Sequence, residues 1–271
     1  MIGAIIGDIV GSRFEFNNHR STEFELFHKD CSFTDDTICT VAVAEWLLQD
    51  VPFLTIEDLT KIMRKWCRKY PNPAGGYGGR FGRWIWEETI GGYDSFGNGS
   101  AMRVSPVAWA FGNIKDILRA AKQSAEISHN HPEGIKGAQT ISEAIYLLRH
   151  GIAKDEVVKN VLQWYGYPEI DFCLLQKTNT FDETCQGTVP VCLLCLKESK
   201  DFESAIRLAV SIGGDTDTIA SIVGSLAEAC YGVPVELIEK ALAYLPGEMK
   251  KVINDFKKTF GYGTEKINRR L

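Results

Sequence analysis

Apolar residues recur at spacings of three and four along most of the chain. Ile38, Val41, Ala42 and Leu48 fall on one helical face, as do Ile135, Ala138, Ile141, Ala144, Ile145 and Leu148, and again Ile219, Ile222, Val223, Leu226 and Cys230. Weaker patterns predict further helices near 56–69, 100–111, 114–128, 154–164, 189–197, 201–212, 235–243 and 247–259, with stops at Gly112, Gly151, Gly166, Gly232 and Pro246. Period-two alternation is almost absent. The run 189–196 is apolar enough for a buried strand, but Pro190 suits a first helical turn better than a central strand. The pattern predicts an all-α fold, read as one domain over 1–271.

Gly3, Gly7 and Gly11 recur at every fourth residue and lay a flat stripe on one helix face, which predicts close helix packing. The Gly/Pro-rich stretches 71–82 and 91–99 are neither charged nor Ser-rich and read as functional loops rather than linkers.

The chain has 271 residues, 45% hydrophobic and 24% charged, a composition that excludes fibrous and disordered classes. Lys and Arg number 30 against 35 Asp and Glu, a net charge of −5 that argues against binding a nucleic acid backbone. A phosphorylated ligand would need local counter-charge from a helix terminus or a metal ion. The eight cysteines are scattered, which predicts a reducing, cytoplasmic setting, and the Leu-Leu between Cys192 and Cys195 makes that pair read as apolar filler. The apolar N-terminus lacks a basic region and carries Asp8, so it does not read as a signal peptide, and no apolar run is long enough to predict a membrane span. No sustained heptad seam is present, and a monomer is expected. The Trp84-Ile85-Trp86 cluster reads as packing, and the basic tail Lys266 to Arg270 as solvated.

Two segments far apart resemble each other: Phe33-Thr34-Asp35-Asp36-Thr37-Ile38 and Gly213-Gly214-Asp215-Thr216-Asp217-Thr218-Ile219. Each puts two Asp and Thr hydroxyls just before a helix. Helix capping explains one such side chain, but adjacent carboxylates repel unless a cation lies between them. If the two helices pack together, Asp35, Asp36, Asp215 and Asp217 converge, with Thr34 and Thr218 as neutral donors. Such an all-oxygen set suits two divalent cations, Mg²⁺ or Mn²⁺, rather than zinc or copper. Asp215 and Asp217 can share that site if Asp215 lies in the loop, which Gly213-Gly214 permits. The turn Ser95-Phe96-Gly97-Asn98-Gly99-Ser100 leads into a predicted helix and could offer backbone N–H groups to phosphate, or be an ordinary loop. In Ser128-His129-Asn130-His131-Pro132-Glu133-Gly134 the two histidines could ligate a metal or mark a helix-terminal loop.

Taken together, G-D-I-V-G-S-R-F-E at 7–15, F-T-D-D-T at 33–37, G-N-G-S-A-M-R at 97–103, S-H-N-H-P-E-G at 128–134 and G-G-D-T-D-T at 213–218 resemble the ADP-ribosylglycohydrolases. That group includes dinitrogenase-reductase-activating glycohydrolase and the animal ADP-ribosyl-acceptor hydrolases. The resemblance runs from about residue 2 to about 262. It implies a binuclear Mg²⁺ or Mn²⁺ centre on Thr34, Asp35, Asp36, Asp215, Asp217 and Thr218. It also implies diphosphate binding by residues 95–100, His129 near the substrate ribose, and Glu15 as an acid on a mobile segment beside the metals. Proton transfer would fall to Glu15 or to the metal-held Asp35 and Asp36. The implied reaction cleaves the C1″ glycosidic bond of ADP-ribose on a modified protein or small conjugate, with arginine the first-choice acceptor. The loops 16–32 and 71–96 would face that acceptor. Alternatives are serine- or ester-linked ADP-ribose, a crystallin-like protein without activity, and a Mg²⁺-dependent hydrolase of another phosphorylated small molecule; the intact aspartate set counts against the crystallin-like reading.

Overall fold

The computed structural model describes residues 1–49, 54–89 and 91–261. In chain order its helices are α1 (Ile2–Gly11), followed by a 3₁₀ turn (Ser12–Phe14), α2 (Asp35–Leu47), α3 (Ile56–Lys69), α4 (Gly79–Trp86), α5 (Gly99–Met102), α6 (Val107–Ala110), α7 (Ile114–Glu126), α8 (Pro132–Arg149), α9 (Lys154–Tyr165), α10 (Phe172–Thr178), α11 (Cys185–Glu198), α12 (Phe202–Ile212), α13 (Thr216–Tyr231), α14 (Val235–Ala243) and α15 (Gly247–Phe260). Among the described residues the only β-type pairings are two isolated bridges, Thr34 with Ala74 and Gly97 with Thr184. The protein is all-α.

Helices without a polar face take the centre. Every residue of α1 is buried, as is α13 from Thr216 to Glu228, and these two helices pack along each other. The glycine stripe is the reason they can: a Cβ on Gly7 would lie 1.9 Å from the carbonyl oxygen of Ala220, and one on Gly3 would lie 2.2 Å from that of Gly224. Around this pair sit α2, α8, α11 and α12. Outer helices are amphipathic; in α3, Leu59, Ile62, Met63 and Trp66 turn inward while Glu57, Lys61 and Lys65 face solvent. The buried apolar side chains form one continuous cluster that includes both Met1 and Phe256, with Cys192 and Cys195 fully inside it.

Four segments differ from the periodicity. The helix expected over 100–111 is two short pieces, α5 and α6, because Pro106 cannot donate to a helical carbonyl and disfavours helix at Ser105. Helix α11 starts at Cys185, capped by the Thr184 hydroxyl on Gly187 N at 3.1 Å, so Pro190 lies inside it rather than in its first turn. Within the stretch 71–82, read as loop, α4 begins at Gly79. Its glycines masked a buried face of Phe81, Trp84 and Ile85, and two arginines of α3 finish its C-terminus, Arg64 Nε on Trp84 O at 3.1 Å and Arg68 Nε on Ile85 O at 2.9 Å. Helix α10 is too short for its period to show in sequence. Trp86 is exposed although Trp84 is buried. The tail Lys266 to Arg270 lies outside the described residues. Among the described residues no helix is long and apolar enough to cross a membrane.

Candidate active site

The two Asp/Thr segments meet where α2 and α13 begin. Thr34 caps α2 by accepting from Asp36 N at 3.2 Å, and Asp215 occupies the cap position of α13 after Gly213 and Gly214, both at positive φ. The Thr218 hydroxyl donates to Asp36 Oδ2 at 3.1 Å and ties the two helix starts together. Carboxylate oxygens of Asp8, Asp36 and Asp217 lie within 4.8 Å of one another, as do those of Glu15, Asp215 and Asp217. Asp35 belongs to neither triad; it is half-buried and faces the adjoining cavity.

Asp8 is the member that its sequence context did not reveal as functional. It is fully buried, and its Oδ1 accepts from the Thr34 hydroxyl at 2.7 Å. Its Oδ2 accepts from Thr34 N at 3.0 Å, Thr37 N at 3.1 Å and the Thr37 hydroxyl at 2.5 Å. It thereby fixes the start of α2 against α1. One signal was available: a lone acid inside a helix otherwise wholly apolar must have partners waiting.

The electrostatics of the cluster are those of acids lacking a counter-ion. None of the ion pairs among the described residues includes Asp8, Glu15, Asp35, Asp36, Asp215 or Asp217. Burial, then the charge of Asp8, holds Asp35 and Asp36 well above the usual carboxylate range; burial, then Asp215, does so for Asp217. Burial also raises Asp215 and lifts Asp8 to about 6 against its four donors. Glu15 rises to about 7 through burial and the charges of Asp215 and Asp8. Asp36 Oδ1 and Asp217 Oδ1 are buried with no hydrogen-bond partner among the described residues. Unpaired anionic oxygens, all-oxygen donors and mutual proximity fit hard divalent cations. Of the residues expected as ligands, the two triads bring together Asp36, Asp215 and Asp217, with Asp8 and Glu15, and Thr218 adjoins them through Asp36. The Thr34 hydroxyl adjoins the cluster but already donates to Asp8.

A cavity of about 440 Å³ is shared by the acids and the glycine loop, lined by Glu15, Asp35, Asp215, Asp217 and Thr218 together with Ser95, Phe96, Gly97, Asn98, Gly99 and His129. Arg80, Phe81, Tyr93, Arg103, Phe181 and Glu183 also line it. The loop residues do different jobs. The Asn98 amide group donates to Asp215 Oδ2 at 2.7 Å and to the Thr188 hydroxyl at 3.0 Å, so it supports the acids. The Ser95 hydroxyl accepts from Gly97 N at 3.2 Å, and Phe96 meets His131 edge to face. Ser100 is fully buried behind the cavity lining, where its hydroxyl donates to Gly134 O at 2.7 Å and lies 3.5 Å from Cys185 Sγ. Gly99 admits the His129 ring, since a Cβ there would lie 2.9 Å from Nε2. His131 caps α8 by accepting from Glu133 N at 3.1 Å and is no ligand of this cluster.

The segment after Glu15 is fastened on several sides. Arg20 donates to carbonyls of Gln176, Asn179 and Ile212, Arg207 to those of Thr22 and Phe24, and Tyr244 to His28 O. Gly75, at positive φ, packs on the Glu15 carboxylate, where a Cβ would lie 2.5 Å from Oε2.

The family model for ADP-ribosylglycohydrolase matches residues 1–261. The chain belongs to the ADP-ribosylglycohydrolase family. Among its relatives, ADP-ribosylhydrolase ARH3 of Danio rerio is 25% identical, aligned over 86% of this chain and 82% of the relative. ADP-ribosylhydrolase ARH3 of Homo sapiens is 24% identical over 86% of this chain and 84% of its own length. ADP-ribosylarginine hydrolase Tri1 of Pseudomonas putida is 26% identical over 89% of this chain and 72% of its own length. A solved structure described as an ADP-ribosylglycohydrolase-related protein complex superposes with a TM-score of 0.72, at 23% identity, covering 95% of this chain and 96% of that one. That likeness establishes the fold. Membership of the ADP-ribosylglycohydrolase family, with these relatives, supports ADP-ribosyl hydrolase activity.

Proposed function

We propose that the protein is a metal-dependent hydrolase that releases ADP-ribose from arginine by cleaving the bond at C1″. The observation that carries this reading is one cavity lined by the carboxylates, the glycine loop and His129 together. The acids suit divalent cations and sugar hydroxyls, and the glycine loop offers N–H groups to a diphosphate.

Asp36, Asp215, Asp217 and Thr218 would hold two divalent cations, Mg²⁺ or Mn²⁺, with Asp35 and Glu15 beside them and Thr34 behind. Such ions, when bound, supply positive charge and activate water at neutral pH. Glu15 shares a triad with Asp215 and Asp217 and lines the cavity, where it can hold or pass a proton near neutrality. At the first two positions of α5, Gly99 and Ser100 have no intrahelical acceptor for their N–H groups. Phe96 and Phe181 flank the same space with aromatic surface.

Arginine is favoured as acceptor by charge. Its guanidinium would leave past Glu15, Asp35 and Glu183, all carboxylates on the cavity wall. The Pseudomonas putida relative, named as an ADP-ribosylarginine hydrolase, supports the same choice. The test is turnover of arginine-linked and serine-linked ADP-ribose side by side, with Mg²⁺ or Mn²⁺ and with chelator. Cation-dependent release from arginine is expected; faster release from serine overturns the acceptor, and full activity in chelator overturns the metal requirement.

A further inference from the structure

Arg103 is fully buried beneath the cavity, and it can only donate hydrogen bonds. Its Nη2 donates to Ser124 O at 2.7 Å and to the Ser128 hydroxyl oxygen at 2.9 Å. That same oxygen lies 2.8 Å from His129 Nδ1. Ser128 is itself fully buried, and no other partner of its hydroxyl is present among the described residues.

The protons along this chain can be placed by elimination. Ser128 Oγ accepts from Arg103, so its one hydrogen has Nδ1 as its available acceptor. If Nδ1 carried a proton instead, two donors would face the serine and its own hydrogen would be stranded in the core, which a buried hydroxyl does not tolerate cheaply. The remaining ring nitrogen, Nε2, makes no hydrogen bond within the described protein and adjoins Gly97 and Gly99, where added Cβ atoms would lie 3.4 and 2.9 Å from it.

We propose that Ser128, oriented by Arg103, is a positioning residue that holds His129 as the Nε2–H tautomer, so that the ring offers one fixed donor to an acceptor oxygen of the bound ligand. His129 is then neither a proton acceptor nor a cation during turnover. Its surroundings agree: burial, and then the charges of Arg103 and Arg80, hold it well below the usual histidine range, in the neutral form. The rings of Tyr93 and Phe81, with centroids 6.0 and 6.4 Å away, supply the rest of the wall. A buried serine–arginine relay therefore does for this imidazole what a backbone carbonyl does for many others, but with the opposite proton assignment.

The choice of ADP-ribose as ligand rests on the proposed function; the tautomer does not. Long-range ¹H–¹⁵N NMR of ¹⁵N-histidine-labelled, ligand-free protein reads the ring directly, with His129→Gln assigning its signals. We expect a bare Nδ1 and a protonated Nε2 at neutral pH. In Ser128→Ala the Nδ1–H form should become populated and the ADP-ribose Kd should rise about tenfold, the loss of one hydrogen bond; Ser128→Thr should restore both. A protonated Nδ1 in the unaltered protein overturns the proposal, and so does Ser128→Ala matching it in both tautomer and affinity. Unaltered protein that shows the expected tautomer but does not bind ADP-ribose counts against the proposed function alone.

Discussion

Asn98 donates to Asp215 across 2.7 Å and so joins the glycine loop to the carboxylate cluster, although the two residues are 117 positions apart. Asn98 is buried, and its amide group also donates to the Thr188 hydroxyl, so the donor is itself held in place. The bond to Asp215 sets the carboxylate's rotamer before any cation arrives. Asn98→Ala should weaken Mn²⁺ binding about ten- to a hundredfold, as loss of an orienting partner does at metal sites. Calorimetric titration with Mn²⁺ alone checks this; an unchanged Kd would mean that Asp215 is held by the backbone of the Gly213-Gly214 turn.

Gly7 is the tightest point of the α1–α13 contact, and it adjoins Asp8. A methyl group there would sit 1.9 Å from Ala220 O, with backbone rather than a flexible side chain in its way. Gly7→Ala must therefore separate the helices that carry Asp8 and Asp217. We expect a loss of at least about 3 kcal/mol and a fall in Tm of roughly 6–12 °C. Gly112→Ala, where nothing lies within 4 Å, is the control and should stay within about 0.5 kcal/mol. Equal melting of the two variants would refute the close approach.

Much of this architecture is written locally. The stripe of Gly3, Gly7 and Gly11 announces a backbone contact because no other residue type serves there, and the paired aspartates of two similar segments announce that the two helix starts converge on one acidic cluster. Asn98 and Ser100 are legible in sequence as members of a loop, but what each one does is not. Their partners, Asp215 and Gly134, come from distant elements, and nothing near them in the chain encodes which way an amide or hydroxyl turns. Asp8 is hidden for the same reason, since its four donors belong to residues 34 and 37. The helix α4 is hidden by its own glycines and is completed by arginines from α3.

Glu15 is the side chain best placed to move a proton without giving up the cluster. It is half-buried, it lines the cavity, and burial with the charges of Asp215 and Asp8 brings it to about 7. Glu15→Gln keeps the shape beneath Gly75 and removes the titration. At saturating Mn²⁺ the expected result is a kcat reduced about 10²- to 10⁴-fold with ADP-ribose affinity changed much less. Single-turnover release of ADP-ribose measures the first and calorimetry the second. A variant with unaltered kcat would assign the proton step to one of the aspartates.

The raised carboxyls also fix how stability depends on pH in the absence of cations. Asp8 goes from 3.8 in the unfolded chain to about 6 in the fold, so between those values the native state holds a proton that the unfolded state has lost. Stability from that proton is complete below the lower value and is lost as pH rises through the upper one, roughly 3 kcal/mol for Asp8 at 1.4 kcal/mol per unit. Glu15 acts in the same direction between 4.5 and about 7, as do Asp35, Asp36, Asp215 and Asp217 in the directions of their shifts. In chelator, Tm should therefore rise when the buffer is taken from about pH 7.5 to about pH 5.5, the reverse of ordinary acid unfolding. Divalent cations bind the ionised acids, so added Mn²⁺ should raise Tm most at the higher pH and invert the slope. Thermal melts over this range, with and without Mn²⁺, decide the matter: a chelated protein that loses stability on acidification to about pH 5.5 would show that the acids are already neutralised by groups within the fold.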